Sequence, residues 1–213
     1  MASFGEKMID RELQQYVEKE ILPLYDTFDA AHKKEHAKEV IKQSLELARY
    51  YDVDENIVYA VAAYHDTGLV EGRETHHKVS ARIIRADKKL EKWFSPEQIN
   101  IIADAAEDHR ASSKNEPRTI YGKIVAEADR FICSEIIIKR TIQYGLSHYP
   151  ELDKESNYQR TIEHIKEKYA EGGYMKLWIP ESSNRQRLEQ LRELFKNRVL
   201  FRQVFDRIYD ELV

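Results

Sequence analysis

The stretch IVYAVAAYHDTGL, residues 57–69, is apolar at nearly every position until it reaches a histidine, an aspartate and a glycine. Asp54, three residues earlier, is a good helix N-cap, so the pattern predicts a helix over residues 55–66. A helix that is apolar all round is buried, and we expect this one at the centre of a helical bundle. His65 and Asp66 at its end need an explanation, because both are good metal ligands and a plain helix C-terminus needs neither.

Helical hydrophobic spacing continues on both sides of this stretch. The segments with apolar residues at three- and four-residue steps are 6–22, 33–51, 76–93, 95–109, 119–144, 154–170 and 181–213. Only 7 Gly and 5 Pro among 213 residues leave few turns for an all-β protein. The predicted fold class is therefore all-α, a helical bundle with helical additions at both ends.

The charge balance points away from polyanionic partners. The formal net charge is −4, so no overall basic field favours nucleic acid. No apolar run reaches the ~18 residues of a membrane span, and the start MASFGEKMIDREL lacks the basic and apolar regions of a secretion signal. The single cysteine, Cys133, has no partner for an internal disulfide. We expect a cytoplasmic protein with no membrane contact, and nucleic acid is not an expected partner.

Histidines are concentrated in one part of the chain. Six of the eight lie between residues 32 and 109, and they are His32, His36, His65, His76, His77 and His109. Asp129 lies in the otherwise apolar segment IVAEADRFIC, where an aspartate is rare unless it is paired or bound to a cation. Imidazoles and carboxylates from several helices are how a helical bundle builds an interior metal site.

Each of these residues also has an ordinary structural interpretation when it is taken alone. His36 is compatible with a plain histidine near a helix start, and the His65–Asp66 doublet with a plain helix end. Asp129 could pair with Arg130 or Arg140. The order in which these residues occur along the chain is what favours a joint metal site.

That order, H…HD…D, resembles the signature of the HD-domain superfamily of metal-dependent phosphohydrolases. The matching segments are DAAHKKEHAKEV, AAYHDTGL and AEADRF, and the resemblance covers residues 28–140. It implies an HD-domain-like all-α bundle with four metal ligands, His36, His65, Asp66 and Asp129. The continuous helical spacing, without an internal repeat or a low-complexity linker, predicts one domain over residues 1–213, with an HD core over residues 28–140 and a C-terminal helical extension over residues 145–213.

Two further segments, THHKVSARI and AEDHRASS, look like the additional histidines of some HD-domain branches. In those branches they bind a second metal or the phosphate of the substrate. The resemblance carries this role onto His109 and onto His77, with His76 as the alternative. Asp66, as a carboxylate that bridges two ions, and His109 are the predicted catalytic residues.

The predicted ligand set suits a divalent transition metal, one or two ions of Mn, Fe, Co, Ni or Zn, with Mg as a further candidate. Such an ion lowers the pKa of a bound water to about 7 and so supplies hydroxide for attack on phosphorus. Three cations in the loop after His109, Arg110, Lys114 and Arg118, are predicted to bind the phosphate.

The predicted function is metal-dependent hydrolysis of a nucleotide or another small phosphate ester. Phosphomonoesterase, phosphodiesterase and nucleotide pyrophosphohydrolase activities all fit this prediction. The alternative is a non-catalytic HD module that binds a metal or a nucleotide as a sensor. A third possibility is an interaction role for the C-terminal helices, which would include a homodimer formed through them.

Overall fold

The computed structural model describes residues 8–28, 33–113 and 115–213. Over these residues the chain is helical and contains no strand, which confirms the predicted all-α fold. The α-helices are α1 Arg11–Tyr16, α2 Lys34–Ala48, α3 Glu55–Tyr64, α4 His76–Ala86, α5 Pro96–Asp108, α6 Ile120–Asp129, α7 Ser134–His148, α8 Lys154–Lys168, α9 Asn184–Lys196 and α10 Arg198–Asp210. A π-helix, Val17–Ile21, and three 3-10 helices, Leu22–Thr27, Thr67–Glu71 and Lys88–Lys92, complete the elements.

The chain forms two compact units, Met1–Arg130 and Phe131–Val213. The boundary falls ten residues before the end of the predicted core at residue 140. Whether the two units act as the single domain expected from the sequence stays a prediction.

Helix α3 is the centre of the first unit. Every residue from Ile57 to Tyr64 is buried, and the helix packs against α2, α5 and α6. Asp54 caps it as predicted, because its carboxylate accepts a hydrogen bond from the Asn56 amide. The apolar run therefore places the His65–Asp66 doublet inside the first unit.

Two of the predicted helices are divided in the structure. In the first one, α1 and the π-helix cover residues 11–21, and the chain then tightens at Leu22 into the 3-10 helix that contains Pro23. The predicted helix 119–144 ends at Asp129, because Arg130 leaves the helical conformation with ψ 53°. No Gly or Pro marks this break and buried Ile132 keeps the apolar spacing, so periodicity alone misses it.

The second unit is built from α7, α8, α9 and α10. Its core contains Ile138, Ile142, Phe201 and Phe205, which are all 0% exposed. A Cβ on Gly145 would lie 2.1 Å from the side-chain oxygen of Asn157, so this glycine allows α7 and α8 to approach closely. Across the described part of both units, no helix has the length and apolar character needed to cross a membrane.

Candidate metal centre

Two groups of possible metal ligands meet at one carboxylate in the first unit. His36, His65 and Asp66 form one group, and Asp66, His76 and His109 form the other. Within each group, one ligand atom from every residue lies within 4.8 Å of the others. Asp66 belongs to both groups, so its carboxylate is placed as a bridging ligand would be.

The first group also includes Asp129. Its Oδ1 lies 3.1 Å from His36 Nε2 and 3.8 Å from His65 Nε2. Asp66 Oδ2 lies 3.3 Å from His65 Nε2 and 3.9 Å from His36 Nε2. The structure thus brings together all four ligands predicted from the sequence, although they come from α2, the end of α3 and the end of α6.

The second group faces the other oxygen of the same carboxylate. Asp66 Oδ1 lies 3.3 Å from His109 Nε2 and 3.4 Å from His76 Nε2. The two Nε2 atoms are 3.2 Å apart. The resemblance favoured His77 for this place, with His76 as the alternative, and in the structure it is His76 that lies beside Asp66. Neighbouring residues at a helix start point about 100° apart, so His77 directs its ring elsewhere and belongs to neither group.

Three of these histidines are oriented in the same way. His65 Nδ1, His76 Nδ1 and His109 Nδ1 each bond the backbone carbonyl three residues earlier, at 2.8, 2.7 and 2.5 Å. A carbonyl oxygen only accepts hydrogen bonds, so Nδ1 carries the hydrogen in each ring. The Nε2 atoms are left to face the centre, which is the arrangement of metal-binding histidines.

The imidazole Nε2 atoms at the centre face carboxylate oxygens and one another. His65 is fully buried, and among the described residues its Nε2 makes no hydrogen bond of ordinary geometry, with Asp66 Oδ2 at 3.3 Å. His76 and His109 turn their Nε2 atoms towards each other, and two lone pairs at that distance repel unless a proton or a cation lies between them. The residues present therefore fit a divalent cation in chemistry and in orientation.

Electrostatics at the centre depends on burial and on the two carboxylates. Burial alone would lower the pKa of His65, but the negative charges of Asp66 and Asp129 outweigh it and raise the pKa to about 9. The pKa of His76 is lowered to about 4 by burial and by the charge of His109. The two groups therefore differ in their electrostatics, because the pKa is raised for His65 and lowered for His76.

Side chains satisfy the four carbonyls that follow one another at the end of α3. His65 Nδ1 bonds the Ala62 carbonyl, the Tyr25 hydroxyl bonds that of Ala63 at 2.9 Å and the Thr67 hydroxyl bonds that of Tyr64 at 2.8 Å. Ser80 completes the set: its hydroxyl donates to the His65 carbonyl at 2.7 Å and accepts from the Gly68 amide at 2.9 Å. A helix end normally leaves these carbonyls without partners. Here the four hydrogen bonds fix the backbone around the doublet.

Gly68 lets α4 approach the doublet. A Cβ at this position would lie 2.0 Å from the His76 carbonyl oxygen and 2.5 Å from the Ser80 amide nitrogen. Only glycine fits this approach, which brings His76 to the other side of Asp66.

With this geometry established, the comparisons with known proteins assign the segment. The sequence model of the HD-domain family matches residues 34–132. Residues 34–132 form an HD domain. Every member of the two ligand groups lies within this range.

A solved structure titled as a predicted HD superfamily hydrolase from an uncultured Thermotogales bacterium shares 20% identity, with a TM-score of 0.49. The similarity covers 73% of this chain and 87% of that one. A search of curated proteins found no match.

Of the predicted phosphate-binding residues, the structure describes Arg110 and Arg118, and both have partners within the protein. Arg118 is engaged by acids of α5, with Asp104, Glu107 and Asp108 at 3.1, 3.0 and 2.9 Å. Arg110 donates to the carbonyl of Glu74. Lys114, like His32, lies outside the described residues. The structure thus gives Arg118 a role in tying the loop to α5, and its contact with phosphate stays a prediction.

The ordinary interpretation of Asp129 is not supported in the HD domain. Among the described residues, its carboxylate has no ion pair with Arg130 or Arg140 and lies instead beside His36 and His65. Sequence reasoning missed Tyr25 and Ser80, which hold the backbone of the doublet. Neither has a local signal, because both reach the doublet from distant parts of the chain.

Proposed function

We propose that this protein is a metal-dependent hydrolase of small phosphate esters or anhydrides, with nucleotides as the first candidate substrates. The observation that carries the proposal is the convergence of imidazole Nε2 atoms on both oxygens of Asp66, with the Nδ1 atoms of three rings already bonded to carbonyls. Nε2 atoms directed at a shared buried carboxylate, with Nδ1 bonded to the backbone, have the orientation that metal-binding histidines adopt.

Six residues would hold the metal. His36, His65, Asp66 and Asp129 would bind one ion, and Asp66, His76 and His109 would bind a second. When bound, a divalent ion of the Mn, Fe, Co, Ni or Zn type supplies Lewis-acid stabilisation of phosphate charge and lowers the pKa of water. Mg stays a further candidate, because the imidazole content favours the softer ions without excluding oxygen-preferring ones.

The chain's own residues prepare this chemistry. The bonds from Nδ1 to backbone carbonyls fix the orientation of three rings, so little reorganisation is needed when the centre is loaded. Asp66 and Asp129 supply negative charge that offsets part of the charge of the ions. Of the two arginines, Arg110 is the better candidate for binding the substrate phosphate. It donates to a neutral carbonyl, that of Glu74, whereas Arg118 pairs with acids.

The first prediction concerns Asp66. Replacement by alanine removes the carboxylate common to both groups and should abolish metal binding and reduce hydrolysis at least 100-fold, the size of loss expected when a directly acting group is removed. The measurement is elemental analysis of purified protein together with a phosphomonoesterase, phosphodiesterase and nucleotide panel at several divalent ions.

Asp104→Asn is the matched control, because Asp104 is an acid of the same unit that pairs with Arg85 and Arg118 outside the centre. It should keep its metal and its activity. Full hydrolysis by Asp66→Ala would overturn the proposal. Nucleotide binding by the loaded protein without turnover of any substrate would favour the sensor instead.

A further inference from the structure

We propose that Tyr25 is a positioning residue for Asp66, supplied to the metal centre from outside the HD match. This inference rests on the proposed function, because it concerns how the same centre is held ready for metal. Tyr25 lies in the 3-10 helix Leu22–Thr27, whereas the HD match begins at residue 34. The N-terminal segment would thus be part of the working site.

The hydroxyl of Tyr25 makes two bonds on either side of the doublet. It donates to the Ala63 carbonyl at 2.9 Å and accepts from the Asp66 amide at 3.2 Å. Tyr25 is 0% exposed, so no water competes for these groups. Burial and the charge of Asp66 raise the pKa of Tyr25 well above its usual value, and the hydroxyl keeps the hydrogen it donates.

These two bonds act where the helix ends. In a continuing α-helix, the Asp66 amide would donate to the carbonyl four residues earlier, that of Ala62. That carbonyl is instead bonded by His65 Nδ1, and the Asp66 amide turns to Tyr25. Asp66 accordingly leaves the helix with φ −109° and ψ 5°. The Tyr25 hydroxyl therefore helps to determine the direction in which the Asp66 side chain points.

That direction matters because Asp66 serves two groups at once. Its two oxygens lie 3.3 Å from His65 Nε2 and 3.3 Å from His109 Nε2, on opposite groups. A small rotation of the backbone would move one oxygen away from its histidine. A tether on the Asp66 amide is thus expected to affect metal affinity beyond its effect on stability.

Tyr64, at the end of α3, offers a matched control. It is also 0% exposed, and its hydroxyl donates to Asp87 Oδ2 at 2.6 Å, away from the doublet. Tyr25→Phe and Tyr64→Phe each remove one buried hydroxyl and keep the ring. They differ in whether the lost bonds hold the backbone of the metal ligand.

The experiment compares Co²⁺ binding by the full-length wild type, Tyr25→Phe and Tyr64→Phe, using calorimetric titration and the visible absorption of Co²⁺, with thermal unfolding of each metal-free protein. We expect Tyr25→Phe to bind Co²⁺ about 10-fold more weakly and to show an altered absorption band. Tyr64→Phe should match the wild type in Co²⁺ affinity and in the absorption band, even if its free energy of unfolding is lower.

Two results would overturn the inference, and only the second would also overturn the proposed function. Equal Co²⁺ affinity and spectra in both variants would remove the role of Tyr25 and leave the metal centre intact. A wild type that binds no Co²⁺, Mn²⁺ or Zn²⁺ would remove the proposed function as well. If Tyr25→Phe does not fold, hydrogen exchange on the wild type decides, because the Asp66 amide must be protected although it lies beyond α3.

Discussion

At the scale of single residues, orientation separates His76 from His77. The sequence gives these neighbours equal chemistry, but the ring of His76 reaches Asp66 Oδ1 and His109. Both rings are partly buried, and the pKa of His77 is lowered by burial and by the charge of Arg110. His76 is therefore the candidate ligand of this pair, which the histidine count alone does not reveal.

This difference predicts metal stoichiometry. His76→Ala removes one of the three members of the second group, so it should lower the number of tightly bound ions and leave the first group occupied. The measurement is elemental analysis after removal of excess metal, with titration of the affinity of each site.

His77→Ala serves as the control for this change, since it removes the same side chain one position along α4. It should retain the stoichiometry of the wild type. Loss of an ion from His77→Ala and not from His76→Ala would contradict the assignment and restore the preference drawn from the sequence.

At the scale of elements, the junction between α3 and α4 builds the centre. Hydroxyls of Thr67 and Ser80 bond the carbonyls at the end of α3, and Gly68 lets the start of α4 lie against the turn. These contacts place His76 opposite His65 around one carboxylate. We expect the length of this turn, and the size of the residue at position 68, to determine whether the second ligand group forms.

Gly68→Ala tests this junction. The added Cβ meets backbone atoms of α4 that cannot move aside as a side chain would, so we expect a loss of about 1–3 kcal/mol in the free energy of unfolding. We also expect weaker binding at the group that contains His76. Urea denaturation and metal titration measure the two effects.

Gly122→Ala is the comparison for this substitution. Its added Cβ would lie 3.1 Å from the nearest atom, the side-chain Cβ of Pro117, and the gain in helix propensity of about 1 kcal/mol offsets that crowding. Metal binding should be unchanged. A Gly68→Ala protein as stable and as metal-competent as the wild type would show that α4 can withdraw without consequence.

At the scale of the whole molecule, the metal centre ties much of the first unit together. Its residues come from α2, the end of α3, the start of α4, the end of α5 and the end of α6. An ion held by these residues binds the folded unit and not the separated helices, so loading is coupled to stability.

Thermal unfolding should therefore depend on metal. At a free ion concentration of 100 times Kd, binding adds about 2.7 kcal/mol to the folded state, and a chelator should reverse the increase in Tm. Scanning calorimetry of the wild type and of Asp66→Ala, each with and without metal, measures the shift in Tm. An equal shift in Asp66→Ala would place the stabilising ion somewhere else.

The sequence by itself determined the helical fold and the burial of α3, because apolar spacing and an N-cap are readable along the chain. The candidate ligands His36, His65, Asp66 and Asp129 came from the order H…HD…D and its resemblance to the HD-domain signature. It did not determine the break after Asp129, since Ile132 continues the apolar spacing without a Gly or Pro.

Tertiary structure alone decided the placement of His76, the ion pairs of Arg118 with the acids of α5 and the hydrogen bonds of Tyr25 and Ser80. Each depends on the direction of a side chain across a large separation in sequence, 41 residues between Tyr25 and Asp66 and 15 between His65 and Ser80. Those directions are set by the packing of the helices, and they cannot be predicted from residue type and spacing along the chain.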